Sequence, residues 1–137
     1  MRLANLTVNL LFLLVTSCSV SAEDNIKTHV VSTEDAQITE YEGSKFLTYF
    51  SGNTVGTTNA ITGVALIEPN NHIHPPHRHE EEEYLMVIEG SGEWTINDKK
   101  FNAKTGDILY AAPNELHGLF NTGENQMKFV IFKWKSK

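Results

Sequence analysis

Cysteine is almost missing from this chain. Cys18 is the sole one in 137 residues, so no disulfide framework can hold the fold together. Basic charge is scarce as well. Eleven Lys and Arg face 17 Asp and Glu, for a formal net charge of −6, and the one basic cluster is the terminal "KWKSK". That balance argues against binding a phosphate backbone, and nucleic acid is not an expected partner. Long apolar runs are absent too. The longest, around Leu10–Val15, falls well short of the roughly 20 residues a membrane-spanning helix needs. No window shows a capped helical repeat, and no internal repeat occurs. The one low-complexity stretch is the run of four glutamates, Glu80 to Glu83.

The length suggests one domain preceded by a targeting segment. Residues 1–22 begin with Arg2, pass through the short apolar core and end in small residues, the pattern of a secretory signal peptide. Two processing patterns fit. "VSA" before Glu23 suits ordinary cleavage. "VTSC", ending at Cys18, resembles the bacterial lipobox, in which the cysteine becomes a lipidated N-terminus. Export is expected either way, to the periplasm or as an outer-membrane-anchored lipoprotein. Loss of Arg2 takes the net charge to about −7. About 100–115 residues then remain, enough for one modest core. Residues 23–44 are polar without clear periodicity and are expected to form a flexible lead or a loosely attached arm. Residues 45–137 are expected to form the domain.

What is abundant in that domain is short β-type runs punctuated by turn residues. "KFLTYF" stops at "SGN", "AITGVALIE" at "PNN", "EYLMVIE" at "GSG" and "EWTI" at "NDKK". "DILYA" stops at "APNE", "HGLF" at "NTGEN", and "MKFVIFKW" closes the series. Asn97 and Asp98 suit a tight hairpin. Many short strands at regular spacing imply an all-β sandwich or barrel.

Histidine is concentrated in one place. "HIHPPHRHEEEEYLMVIEG" carries His72, His74, His77 and His79, then the four glutamates, then an apolar run. In an extended chain alternate residues share a face. His77 and His79 then point together, with Glu83 on the same side. Two imidazoles and a carboxylate converging on one point suit a divalent ion such as Fe, Mn, Ni, Co or Zn. The alternative is a pair of surface histidines beside an acidic loop. Glu80, Glu81 and Glu82 read as solvated charges in the turn before the strand. His72 and His74 read as loop histidines, and His29 has no assigned role. Farther on, "GDILYAAPNELHGLFN" places His117 at the start of another strand.

These two stretches resemble the two motifs of the cupin superfamily. His77, His79, Glu83 and Gly90 match the first, and Gly106, His117 and Asn121 match the second. Asn71 stands where the first motif has a glycine. Ala112 and Asn114 replace the proline and glycine of the second, although Asn tolerates the left-handed conformation that such a glycine adopts. The resemblance implies a double-stranded β-helix, or jelly roll. It also implies one divalent transition metal held by His77, His79, Glu83 and His117. Two classes of function follow from it. One is a metalloenzyme acting on a small organic molecule, of oxygenase, isomerase, lyase or decarboxylase type. The other is a non-catalytic module that binds a small metabolite or sugar. A metal-free cupin using its His and Glu as acid and base is a third reading.

Asp107 should cap its turn. Trp94, Tyr110, Phe129 and Trp134 are expected to pack in the core rather than line a pocket. Leu85 and Val87 should face inward, leaving Tyr84, Met86 and Ile88 outward on a face that is apolar where a solvated sheet would be polar. Phe129 and Ile131 share one face of the last strand, and Val130 and Phe132 the other. A homodimer, with that outer face covered by a second copy, is therefore expected.

Overall fold

The computed structural model describes residues 24–137. After a single 3-10 turn at Thr33–Asp35 come nine strands. They are β1 (Gln37–Tyr41), β2 (Ser44–Gly52), β3 (Thr57–Ile67), β4 (Glu82–Glu89), β5 (Ser91–Ile96), β6 (Lys99–Lys104), β7 (Ile108–Ala111), β8 (His117–Phe120) and β9 (Met127–Ser136). All pairings are antiparallel. One sheet runs β1-β2-β3-β9-β4-β7 and the other β6-β5-β8. Seven of the strands fall on the β-type runs of the sequence. The other two, β1 and β6, carry mostly exposed side chains. Backbone pairing holds them, and their sequences show no clear apolar alternation.

The turns behave as their residues dictate. Asn97 and Asp98 join β5 to β6, with Ile96 opposite Lys99 and Asn97 at φ 51°. Asn114 stands at φ 64°, so asparagine does take the place of a left-handed glycine here. Gly90, at φ 88°, makes the turn between β4 and β5. The Asp107 carboxylate accepts the Lys104 backbone N–H at 3.1 Å, which closes the turn before β7 as expected.

The core lies between the sheets and is most tightly closed at one end. Ile67 ends β3, Met127 begins β9, and the two pair across the ladder. With Val87 they are fully buried. Trp94, Leu119 and Phe129 extend the same cluster. Asn121 is also fully buried, and its amide donates to Ile67 O at 2.8 Å and Asn125 O at 2.9 Å while its Oδ1 accepts from Gly123 N. This residue of the second motif is therefore a structural pin.

Two expectations about faces need correction. Trp94 and Phe129 are core residues, but Tyr110 is exposed, and Trp134 stacks on Tyr84 at 5.7 Å on the outer face. Glu82 opens β4 rather than sitting in the turn before it. Residues 23–44, read as a lead, supply the edge strand β1, which pairs with β2 from Gln37↔Thr48 to Tyr41↔Ser44. Ahead of it, Ile26 N donates to Asn53 O, and the His29 ring meets Phe50 edge-on.

Candidate metal centre

The long connection from β3 to β4 carries the histidines, and it is laced onto the second motif. Asn70 N donates to Asn121 O, and Asn121 N to Asn71 O. Farther along, His77 and His117 exchange both backbone hydrogen bonds, at 2.9 and 3.0 Å. Then Asn114 N donates to His79 O at 2.7 Å, and the Arg78 guanidinium donates to Asn114 O. The connection is thus an irregular extra rung beside β8. Asn71, the residue in place of the motif glycine, also donates its side-chain amide to Glu42 O. Gly118 follows His117 where Pro76 crosses so closely that an added Cβ would lie 3.0 Å from its Cα.

This lacing brings all four expected residues together, by a route different from the expected one. The chain is not extended from His77 to Glu83, because it bends at Glu80 and Glu81 before β4 begins. His77 and His79 still face His117, and the ligand nitrogens of the three imidazoles lie within 4.8 Å of one another. Glu83 is buried on the inward face of β4, with Oε2 at 2.8 Å from His79 Nε2 and 2.7 Å from His117 Nε2.

The other ring nitrogens are committed. Nδ1 of His77 lies 3.1 Å from Pro75 O, Nδ1 of His79 3.1 Å from Glu81 O, and Nδ1 of His117 2.8 Å from Glu115 O. A carbonyl oxygen can only accept, so each Nδ1 carries the proton and Nε2 is left to serve as a ligand. His79 and His117 then have an acceptor at both nitrogens. That arrangement needs either a second proton on each ring or a cation at Nε2. The residues present therefore fit a divalent ion.

The electrostatics agree. Burial alone would raise the Glu83 carboxyl, but hydrogen bonds from His117 and His79 outweigh it and hold the group below the usual carboxylate range. Burial likewise pulls His117 down, but its contacts with Glu83 and the Glu115 carbonyl lift it above the ordinary imidazole value. His77, with no carboxylate of its own, is pushed down, chiefly by desolvation.

Beside the cluster opens a cavity of about 290 Å³. Its walls are mostly apolar, including Phe46, Ile61, Leu85, Phe129 and Ile131, while Tyr41, His74 and Lys133 add polar groups. His74 is more than a bystander in a loop, since its ring touches both Tyr41 at 5.2 Å and His77 at 5.6 Å. Tyr41 and Thr39 come from the edge strand β1. Lys133 was legible by extending the Phe129, Ile131 alternation by one step. Tyr41 carried no such signal. His72 stays outside this cavity, edge-on to Phe120, and Glu80 pairs with Lys135 on the surface.

A family model described as the cupin domain matches residues 63–133. The chain belongs to the cupin family. Among curated proteins this cupin is 23% identical over 108 residues to the polyketide synthase protein CurC of Streptomyces cyaneus, covering 79% of this chain and 70% of CurC. Its fold is similar to an RmlC-like cupin from Shewanella frigidimarina (TM-score 0.66, 14% identity, 81% of this chain and 94% of that one). It is also similar to the polyketide cyclase RemF from Streptomyces resistomycificus (TM-score 0.65, 17% identity, 79% and 80%). At those identities the likeness concerns the fold, and the fold is the expected jelly roll.

Proposed function

We propose that this cupin is a divalent-metal-dependent enzyme acting on a small organic molecule, with His77, His79, Glu83 and His117 as the ligands. The carrying observation is that each imidazole has its Nδ1 held by a backbone carbonyl, and two of them aim Nε2 at one buried carboxylate oxygen. Three imidazoles and one carboxylate suit Fe, Mn, Ni, Co or Zn. Such an ion, when bound, polarises a carbonyl or acidifies a water. The chain's own residues do the rest. The three carbonyls fix the imidazole tautomers, Glu83 stays ionised, and the apolar walls hold the body of a substrate away from bulk water. CurC and RemF, which are polyketide synthase and cyclase proteins, support a small organic substrate.

Elemental analysis of protein purified without chelators tests the ligand set, with about one equivalent of metal expected per chain. A sample that holds none and takes up none removes the proposal. The non-catalytic reading draws on the cavity itself, which would serve a binding module equally well. A turnover screen with the native metal separates the two.

Export is part of the proposal and rests on the sequence, since the signal segment and Cys18 lie outside the described residues. Fractionation should place the protein outside the cytoplasm. Cys18→Ser should abolish lipid attachment if the lipobox pattern operates, whereas a mature protein starting at Glu23 supports simple cleavage.

A homodimer is the third part. Tyr84, Met86, Ile108, Tyr110 and Phe132 are each at least 39% exposed on the outer face of β4, β7 and β9. The described N-terminal residues lie against Asn53 and Phe50 instead. Sedimentation equilibrium should find two chains, and Met86→Glu should separate them with metal content intact. A clean wild-type monomer counts against pairing.

A further inference from the structure

We propose that Lys133 makes the cavity beside the histidine cluster a binding site for a small organic carboxylate with an apolar body. This rests on the cavity being a substrate site, and it adds the class of substrate. The period of β9 sets Phe129, Ile131 and Lys133 on one face, and Lys133 lines the cavity directly opposite Glu83 of β4. Lysine is rare on an inward face unless its charge has a partner. Two other lysines of the same strand have one: Lys128 pairs with Glu89 and Lys135 with Glu80. Among the described residues no ion pair involves Lys133. Glu83, its cross-strand neighbour, makes no ion pair with it, and the Glu83 Oε2 is turned to His79 and His117.

The cavity sets the rest of the ligand. At about 290 Å³ it lies at the lower end of the roughly 300–1,000 Å³ of ordinary ligand pockets, room for one ring or a short chain. Phe46, Leu85 and Phe129 demand an apolar body. A phosphate is best held by a guanidinium fork or a row of backbone N–H groups, whereas a single ammonium matches a single carboxylate.

Benzoate and its neutral isostere benzamide test this by calorimetric titration of the purified protein, its metal content measured on the same sample. Benzoate should bind saturably and benzamide at least about tenfold more weakly. Lys133→Met should remove most of that preference, and Lys133→Arg should retain it. Lys133→Gln replaces the Met variant if that one fails to fold. Equal binding of the two probes, binding of neither, or a preference that survives loss of the lysine's charge would overturn the assignment. A preference that depends on Lys133 in protein unable to take up metal would sink the metal proposal and leave this one standing. Full metal occupancy without the preference would do the reverse.

Discussion

The two ends of the barrel are built from the same strands and do opposite things. Along the inward face of β9, Met127 is 0% exposed, Phe129 3% and Ile131 9%, and the series ends in the half-buried Lys133. On β4 the order is reversed, from Glu83 through Leu85 to Val87. Because the strands are antiparallel, both polar residues arrive at one end and the fully buried ones at the other. The closed end obtains its stability from apolar burial and the Asn121 pin. The open end gives up that burial for imidazoles, a carboxylate, a lysine and a cavity. Stability and chemistry are thus separated along the barrel axis, and substitutions at the two ends should have different readouts.

The largest effect on stability is expected at the closed end. Ile67→Ala truncates a fully buried side chain and should cost about 2–5 kcal/mol in chemical denaturation, with metal stoichiometry unchanged. A loss below about 1 kcal/mol would mean that this end is less rigid than the comparison requires. At the open end, His117→Ala should lower metal affinity by more than the roughly 10–100-fold typical of an outer partner, while His72→Ala should change it little. Similar losses from the two would place the centre elsewhere.

A subtler contrast concerns pH. In metal-free protein the depressed Glu83 contributes stability above the ordinary carboxylate pKa, and that contribution is lost as pH falls through its lowered value. The raised His117 contributes below the ordinary imidazole pKa, and its share is lost as pH rises through its raised value. The Tm gap between metal-free wild type and His117→Gln should therefore be widest between the two ordinary values and narrow on either side. Added metal should reverse the upper limb, since ligand imidazoles must be neutral and metal-dependent stabilisation grows through the histidine range. A gap independent of pH would show that the Glu83–His117 contact is absent in solution. The smallest effect is expected from Asp107→Ala, which removes one turn hydrogen bond for about 0.5–1.5 kcal/mol and should leave both ends as they are.

Much of this was legible before any coordinates. Period-two alternation placed Leu85 and Val87 inward and Met86 outward, because a strand has only two faces. Motif spacing singled out His77, His79, Glu83 and His117. It could not show how they meet. The facing of His77, His79 and Glu83 was reasoned as if the chain were extended between them, but the chain bends at Glu80 and Glu81, and the histidines converge because the connection pairs with β8 through His77 and His117, residues 40 positions apart. The aromatic positions mark the same limit. Trp94 and Tyr110 are both large and β-favouring, yet one is buried and the other exposed, since composition says nothing about which face meets a second sheet.

The sequence by itself determined the β class, the inward and outward alternation along β4 and β9 and most turns, and its resemblance to the two cupin motifs named the four cluster residues. The alternation and the turns depend on side-chain periodicity and on local φ preferences, which are properties of neighbouring residues. Only the tertiary structure decided that β1 closes the sheet edge, that the imidazole tautomers are held by three carbonyls, and that Lys133 shares a cavity with the cluster. Those outcomes depend on contacts between residues far apart in the chain, and no local pattern encodes which distant backbone will lie alongside.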